Sequence, residues 1–257
     1  MKIKIIVATH KPYQMPKDPM YLPLHVGKEG KESINFEGDN TGENISAKNC
    51  NYCELTGLYW AWKNLTDADA IGLAHYRRHF ASQKNKRGKK WERILTLDEA
   101  TDLCKRHDVI VSSKRKYYIE TNYSHYVHAH KQAGLDMMID VIKNDYPEFS
   151  AACDIVMNRN WAHMFNMFIM KKNYLDRYCE WLFGVLLKIE TRLDISSYSA
   201  VEARVFGYLS ELLLDIWLEM NSIQYGECRV LFMERQNWFV KGVKFLWRKF
   251  HSSVRIL

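Results

Sequence analysis

The chain has 257 residues, enough for one large domain or one domain with a small annex, and its 47% hydrophobic and 26% charged content is that of an ordinary globular protein. Its formal net charge is +7, but Lys241, Lys244, Arg248, Lys249 and Arg255 supply five of those charges and leave about +2 for the rest. The basic balance therefore belongs to the C-terminal tail and does not mark a nucleic-acid-binding body.

Residues 3 to 8 read as a short, buried, β-branched strand that ends in the polar break Thr9-His10-Lys11-Pro12. Residues 9 to 48 hold four of the five prolines and read as a long irregular segment, a kind that is usually functional inside a compact domain. Asn51-Tyr52-Cys53-Glu54 has capping-box spacing, and Leu55, Leu58, Tyr59, Trp62 and Leu65 continue it as an amphipathic helix over about 52 to 65. Ala70 to Ala74 predicts a second buried strand, ending in His75-Tyr76-Arg77-Arg78-His79. A basic loop, a short helix over 97 to 106 and a third strand over 108 to 111 follow. Strand, helix, strand, helix, strand is the order of a parallel α/β sheet, whose sites lie beyond the carboxyl ends of its strands. From residue 125 the pattern turns helical, with helices near 130–144, 173–190 and 199–220 and a strand over 165–170. Ser199 and Glu202 form a capping box at the head of the last helix.

The six cysteines are scattered, which fits a reducing compartment better than a disulfide scaffold. The apolar start is too short for a signal peptide, and no stretch approaches the roughly 20 apolar residues of a membrane span. The expectation is a protein on the cytoplasmic side. In the tail, Phe239, Val243, Leu246, Phe250, Val254 and Leu257 recur at three- and four-residue steps beside the basic residues, with Trp238 and Trp247. That pattern predicts a helix lying in an anionic membrane surface; a core-packing helix is the alternative.

Four groups of residues can carry chemistry. Thr9, His10 and Lys11 follow the first strand, where a polar loop holds a nucleotide or simply turns the chain. His75, Tyr76, Arg77 and Arg78 follow the second strand. No Asp-x-Asp metal motif occurs anywhere in the chain, and arginines at this place can neutralise a diphosphate instead, because guanidinium groups pair with phosphate oxygens and stay charged. His125, His128 and His130 crowd six residues, but at spacing that fits no zinc motif; contact with an acceptor or a phosphate, or surface placement, reads better. An inverting transferase needs a carboxylate base, and Asp154, Glu202 and Glu211 are the candidates. Cys50 and Cys53 lack a second pair and read as ordinary thiols.

Several ordered segments together carry a resemblance: residues 8–12, 21–27, 51–64, 71–80, 163–170 (His163 to Met170) and 204–211. The chain resembles a family of bacterial exopolysaccharide and capsule glycosyltransferases long catalogued as a domain of unknown function. The resemblance covers roughly residues 3 to 225. It implies an α/β, GT-A-like nucleotide-sugar-binding domain over 1–225 with a helical C-terminal part; the tail pattern adds a 226–257 extension bearing the basic amphipathic helix. The resemblance implies transfer of galactopyranose or galactofuranose, with inversion, from a UDP-sugar in surface polysaccharide synthesis, and the basic amphipathic tail favours a lipid-linked glycan as acceptor. Thr9, His10, Lys11, His75, Tyr76, Arg77 and Arg78 then belong to the donor. Asn166 and Arg204, with Glu211, fall on the acceptor side, where His128 and His163 are also expected; the motifs do not fix the base, for which Glu211, Asp154 and Glu202 remain the candidates. No cofactor is expected; transfer is expected to be metal-independent, with a divalent metal as the alternative. The rival reading is a non-catalytic nucleotide-sugar or glycan-binding module of a polysaccharide assembly complex.

Overall fold

The computed structural model describes residues 1–234. The tail helix expected from Trp238 lies outside the described residues.

Strand β1 (Ile3–Thr9) runs through the middle of a nine-stranded sheet. Parallel to it on one side lie β2 (Tyr21–His25) and β3 (Glu37–Gly38). On the other side it pairs in parallel with β4 (Ala70–His75). Beyond β4 come β9 (Phe168–Lys171), β6 (Val109–Ser112) and β10 (Tyr225–Cys228) in that order. The short β5 (Arg78–Phe80) turns back from β4 and pairs with β11 (Val230–Phe232). A separate two-stranded ribbon joins β7 (Arg115–Lys116) and β8 (Trp161–Ala162).

Both faces of the sheet are covered, which explains the unbroken apolar runs of β1 and β4. Along β1, Ile3, Ile5 and Val7 point to one core while Ile6 and Ala8 point to the other. The first core lies under α3 (Leu97–Arg106) and the irregular segments around Met20 and Ile94. The second lies under α2 (Leu55–Asn64), α5 (Gln132–Asp145), α6 (Ser150–Asn158), α7 (Lys172–Arg192) and α8 (Val205–Met220). The remaining helices, α1 (Asn49–Tyr52) and α4 (Asn122–Ala129), brace the ends of this layer.

The structure departs from the sequence reading in four places. The sheet is mixed, not parallel throughout: β9 is antiparallel to both β4 and β6 and separates them. Apolar periodicity finds strands but carries no information on which of them are neighbours. The irregular segment 9–48 contributes β2 and β3, with Pro23 opposite Val7; its prolines weight the reading toward loop. Helices α4 and α6 fall outside the expected set. Finally, the boundary expected after residue 225 falls inside β10, whose residues pair with Val109–Ser112 in the main sheet.

One glycine fixes the turn after β2. Gly27 has φ +63°, and a Cβ there would stand 2.4 Å from the Asn49 side chain. The buried Asp39 carboxylate accepts from Gly27 N, Lys28 N and Ser46 Oγ and holds this turn beside the end of β1.

Candidate active site

A cleft of about 560 Å³ opens beyond the carboxyl ends of β1 and β4, the place where such sheets hold their ligands. Its floor is Ala8, and His75, Tyr76, Arg77 and Arg78 rise from the turn between β4 and β5. Glu54 enters from the head of α2, and Gly207, Tyr208 and Glu211 from α8. His10 and Tyr76 meet edge to face at 5.4 Å, and the Arg77 guanidinium lies 5.0 Å over the same tyrosine ring. Arg78 lies 4.4 Å over the ring of Phe165. These rings hold the cationic side chains in place without neutralising them.

The centre is a linked pair of carboxylates. Asn166 donates to Glu54 Oε1 at 2.7 Å and to the Gly207 carbonyl at 3.1 Å. Glu211 Oε1 accepts from the backbone N–H of Phe165 at 3.0 Å. His75 Nε2 is 2.6 Å from the Phe165 carbonyl and 3.9 Å from Glu54 Oε1. Burial first, and the nearby Glu54 charge second, push the Glu211 carboxyl up to about 8; the Phe165 N–H, Arg78 and Arg115 oppose this. Burial also holds His75 below the usual histidine range, with Arg78 adding to it and Glu54 opposing. His75 is therefore a neutral ring at neutral pH. Three arginines (Arg77, Arg78 and Arg204) face two glutamates, one of them mostly protonated at neutral pH, and Arg77 also pairs with Glu234 at 3.4 Å, which leaves the cleft a smaller net positive charge suited to an anionic ligand.

Local backbone strain gathers here. Cys53, Phe165 and Asn166 have φ of 54°, 78° and 52°, a region side-chain-bearing residues rarely adopt. The turn at Cys53 fits because α8 passes it at a glycine: a Cβ on Gly207 would stand 3.0 Å from Cys53 Sγ. Arg204 Nε donates to that sulfur at 3.1 Å.

Of the residues read from sequence, His10, His75, Tyr76, Arg77, Arg78, Arg204 and Glu211 line one cleft. Asn166 is buried just behind it. Thr9 is buried and shapes the loop, its hydroxyl donating to the Lys11 carbonyl at 2.7 Å. Lys11 is exposed, 5.4 Å from the Tyr76 ring.

Others lie outside the lining. Asp154 is exposed on α6 and pairs with Lys143 at 2.9 Å. Glu202 caps Ser199 and faces Lys131 at 3.6 Å, heading a turn of 3₁₀ helix before α8. His128 Nδ1 and His125 Nδ1 each lie 2.8 Å from an oxygen of the buried Glu120, a carboxylate without a motif to mark it. His163 is buried and bonded through Nδ1 to Asp215.

Glu54 is the main residue that sequence reasoning misses. Its place in an apparent capping box conceals it: the box is not formed, Asn51 donates instead to the Ala203 carbonyl, and Glu54 turns into the cleft. Phe165, Tyr208 and Cys53 carry no signal beyond their positions in the motif segments. Among the described residues, no group of three His, Cys, Asp or Glu is placed to hold a metal ion, and no helix is long and apolar enough to cross a membrane.

The chain belongs to the family described as a domain of unknown function, DUF4422, which matches residues 4–222. No curated protein matches it. The solved apo structure of WbbM, a bifunctional glycosyltransferase, superposes with a TM-score of 0.85 at 30% identity over 91% of this chain. The chain spans 46% of the length of WbbM. The architecture is thus that of a glycosyltransferase, an α/β domain of GT-A-like form with its later half mostly helical.

Proposed function

We propose that this domain is an inverting glycosyltransferase that moves a hexose, galactose in its pyranose or furanose form, from a UDP-sugar to a lipid-linked glycan acceptor during surface polysaccharide synthesis. The observation that carries the reading is the presence, in one cleft, of an arginine pair at the end of β4 and the half-buried Glu211 carboxyl on α8. The likeness to WbbM supports the transferase class. The donor sugar and the ring form rest on the family resemblance, and the lipid-linked acceptor on the basic tail.

Arg77 and Arg78 neutralise the diphosphate as the glycosidic bond breaks, since each guanidinium offers paired N–H donors to phosphate oxygens. Glu211 in its ionised form takes the proton of the acceptor hydroxyl as that oxygen attacks the anomeric carbon. A base raised to about 8 is matched to proton transfer near neutral pH. Asn166 and His75 position Glu54 and the Phe165 backbone around it. With arginines at the diphosphate, transfer proceeds without a divalent metal. Residues 238–257 dock the enzyme on an anionic membrane, where the acceptor lies.

The test is UDP release from UDP-galactose by the full chain, with a lipid-linked acceptor and with or without a chelator. Release that depends on acceptor and survives the chelator is expected. UDP binding without release would favour the binding-module reading, and loss in chelator restored by manganese would reject metal independence. Removal of residues 238–257 is expected to abolish flotation with anionic vesicles while UDP binding persists; flotation of the shortened chain would remove the docking role.

A further inference from the structure

A second cavity, of about 550 Å³, lies at the other end of α8 and is lined by Lys114, Arg159, Glu219, Tyr225 and Glu227 among others. Its position relative to the cleft is set by one helix face. Arg204, Gly207, Tyr208 and Glu211 line the first cavity; Asp215, Leu218, Glu219 and Ser222 line the second. These positions advance by steps of three or four residues, so a single stripe of α8 and its flanks borders both. At the rise of an α-helix, Glu211 and Glu219 are about 12 Å apart along the axis, a span that a short oligosaccharide covers. The segment between the cavities is pinned by the same stripe: Glu211 accepts from Phe165 N at 3.0 Å, and Asp215 accepts from His163 N at 2.9 Å.

The chemistry of the second cavity differs from that of the first. Its two cations are paired, Lys114 with Glu227 at 3.2 Å and Arg159 with Glu219 in direct contact. Both also lie over the Trp161 ring, at 4.4 and 4.6 Å, and Lys114 lies 5.5 Å from the Tyr225 ring. The third acid of the lining, Asp215, is engaged by His163 N and Nδ1, so no unpaired cation is left here to attract a phosphate. The pairs present fixed donors beside fixed acceptors, with the Tyr225 ring in the lining, which suits the hydroxyls and a C–H face of a neutral sugar.

We infer that this second cavity is a subsite for a neutral glycan, holding the acceptor's inner sugars while its terminal residue sits in the cleft. The inference rests on the transferase reading of the cleft. The subsite sets which acceptor chain lengths are used, and it leaves the donor to the arginine end.

The experiment is titration of the full chain with galactose, with a neutral galactotetraose and separately with UDP, followed by ligand-observed NMR. The tetrasaccharide is expected to bind more tightly than galactose. Glu219→Gln and Tyr225→Leu are each expected to weaken it by about threefold to tenfold, the loss of one hydrogen bond or ring contact. Glu219→Gln keeps shape and covers the case in which the tyrosine variant fails to fold. Tetrasaccharide affinity equal to wild type in both variants, or no tetrasaccharide binding at all by the wild-type chain, overturns the subsite. The arms are read separately: failure of UDP to bind counts against the transferase reading, whatever the tetrasaccharide does.

Discussion

Two glutamates show how one side chain serves two ends. Glu99, on α3 at the back of the sheet, is buried and fully met: Ser82 Oγ and the N–H groups of Gln83 and Lys84 each donate to Oε1 at 2.9 Å, and Thr96 donates to Oε2. Burial opposes its charge, but these bonds outweigh it and hold the carboxyl below the usual range. Glu211, in the cleft, has one backbone donor and a second carboxylate nearby, and is pushed up to about 8. A carboxylate with every lone pair answered fixes structure. One left short of donors has its proton affinity raised, the environment that suits a proton-transfer role.

The largest effect expected from this contrast is on turnover. Glu211→Gln removes the basicity and keeps the shape, so transfer should fall by about two to four orders of magnitude. In the wild type, the rate should climb with pH, pass half its maximum near 8 and level off above it, as the ionised form fills. A variant with wild-type turnover, or a flat pH profile from 6 to 9, would return Glu211 to a structural role like that of Glu99.

Next in size is the donor end. Arg78 is half-buried against Phe165 and faces the carboxylate pair. Loss of one charge-assisted phosphate contact is worth about 1.5–3 kcal/mol, so Arg78→Ala should weaken UDP binding roughly ten- to hundredfold. Unchanged UDP affinity would move the diphosphate elsewhere.

The back of the sheet is far more legible in the sequence than the cleft. The helix over 97–106 is α3 to the residue, because Thr96 and Glu99 close a real capping box and the apolar stripe agrees with it. In the cleft the same local grammar misleads. Asn51 and Glu54 have capping-box spacing, yet the chain breaks at Cys53 and Glu54 faces His75 and Asn166. The arginine motif is readable because it follows a buried strand directly. Glu211 is visible only as one acid among several, since its environment is assembled from residues 54, 78 and 165, distant in sequence. Local rules fail where side chains have been diverted to the site.

The smallest effect expected is on stability, and its sign separates the two glutamates. Glu99 has its folded value lowered, so it stabilises the fold above the ordinary value of 4.5, and that contribution fades as pH falls through the folded value. Glu211 has its folded value raised, so its contribution is present below 4.5 and is lost as pH rises toward about 8. Glu99→Gln should therefore cost about 1–2 kcal/mol at neutral pH, from the bonds to Thr96 it cannot keep, and less in acid. Glu211→Gln should gain on the wild type as pH rises from about 5 to 9. At about 1.4 kcal/mol for each tenfold change in proton affinity the full displacement would be several kcal/mol, and partial exposure at the cleft mouth reduces this to about 1–2. Urea unfolding of both variants at acid, neutral and alkaline pH reads the two slopes. Slopes of the same sign would mean that the cleft carboxylate is as well satisfied in solution as the structural one, and the division of labour between them would fall.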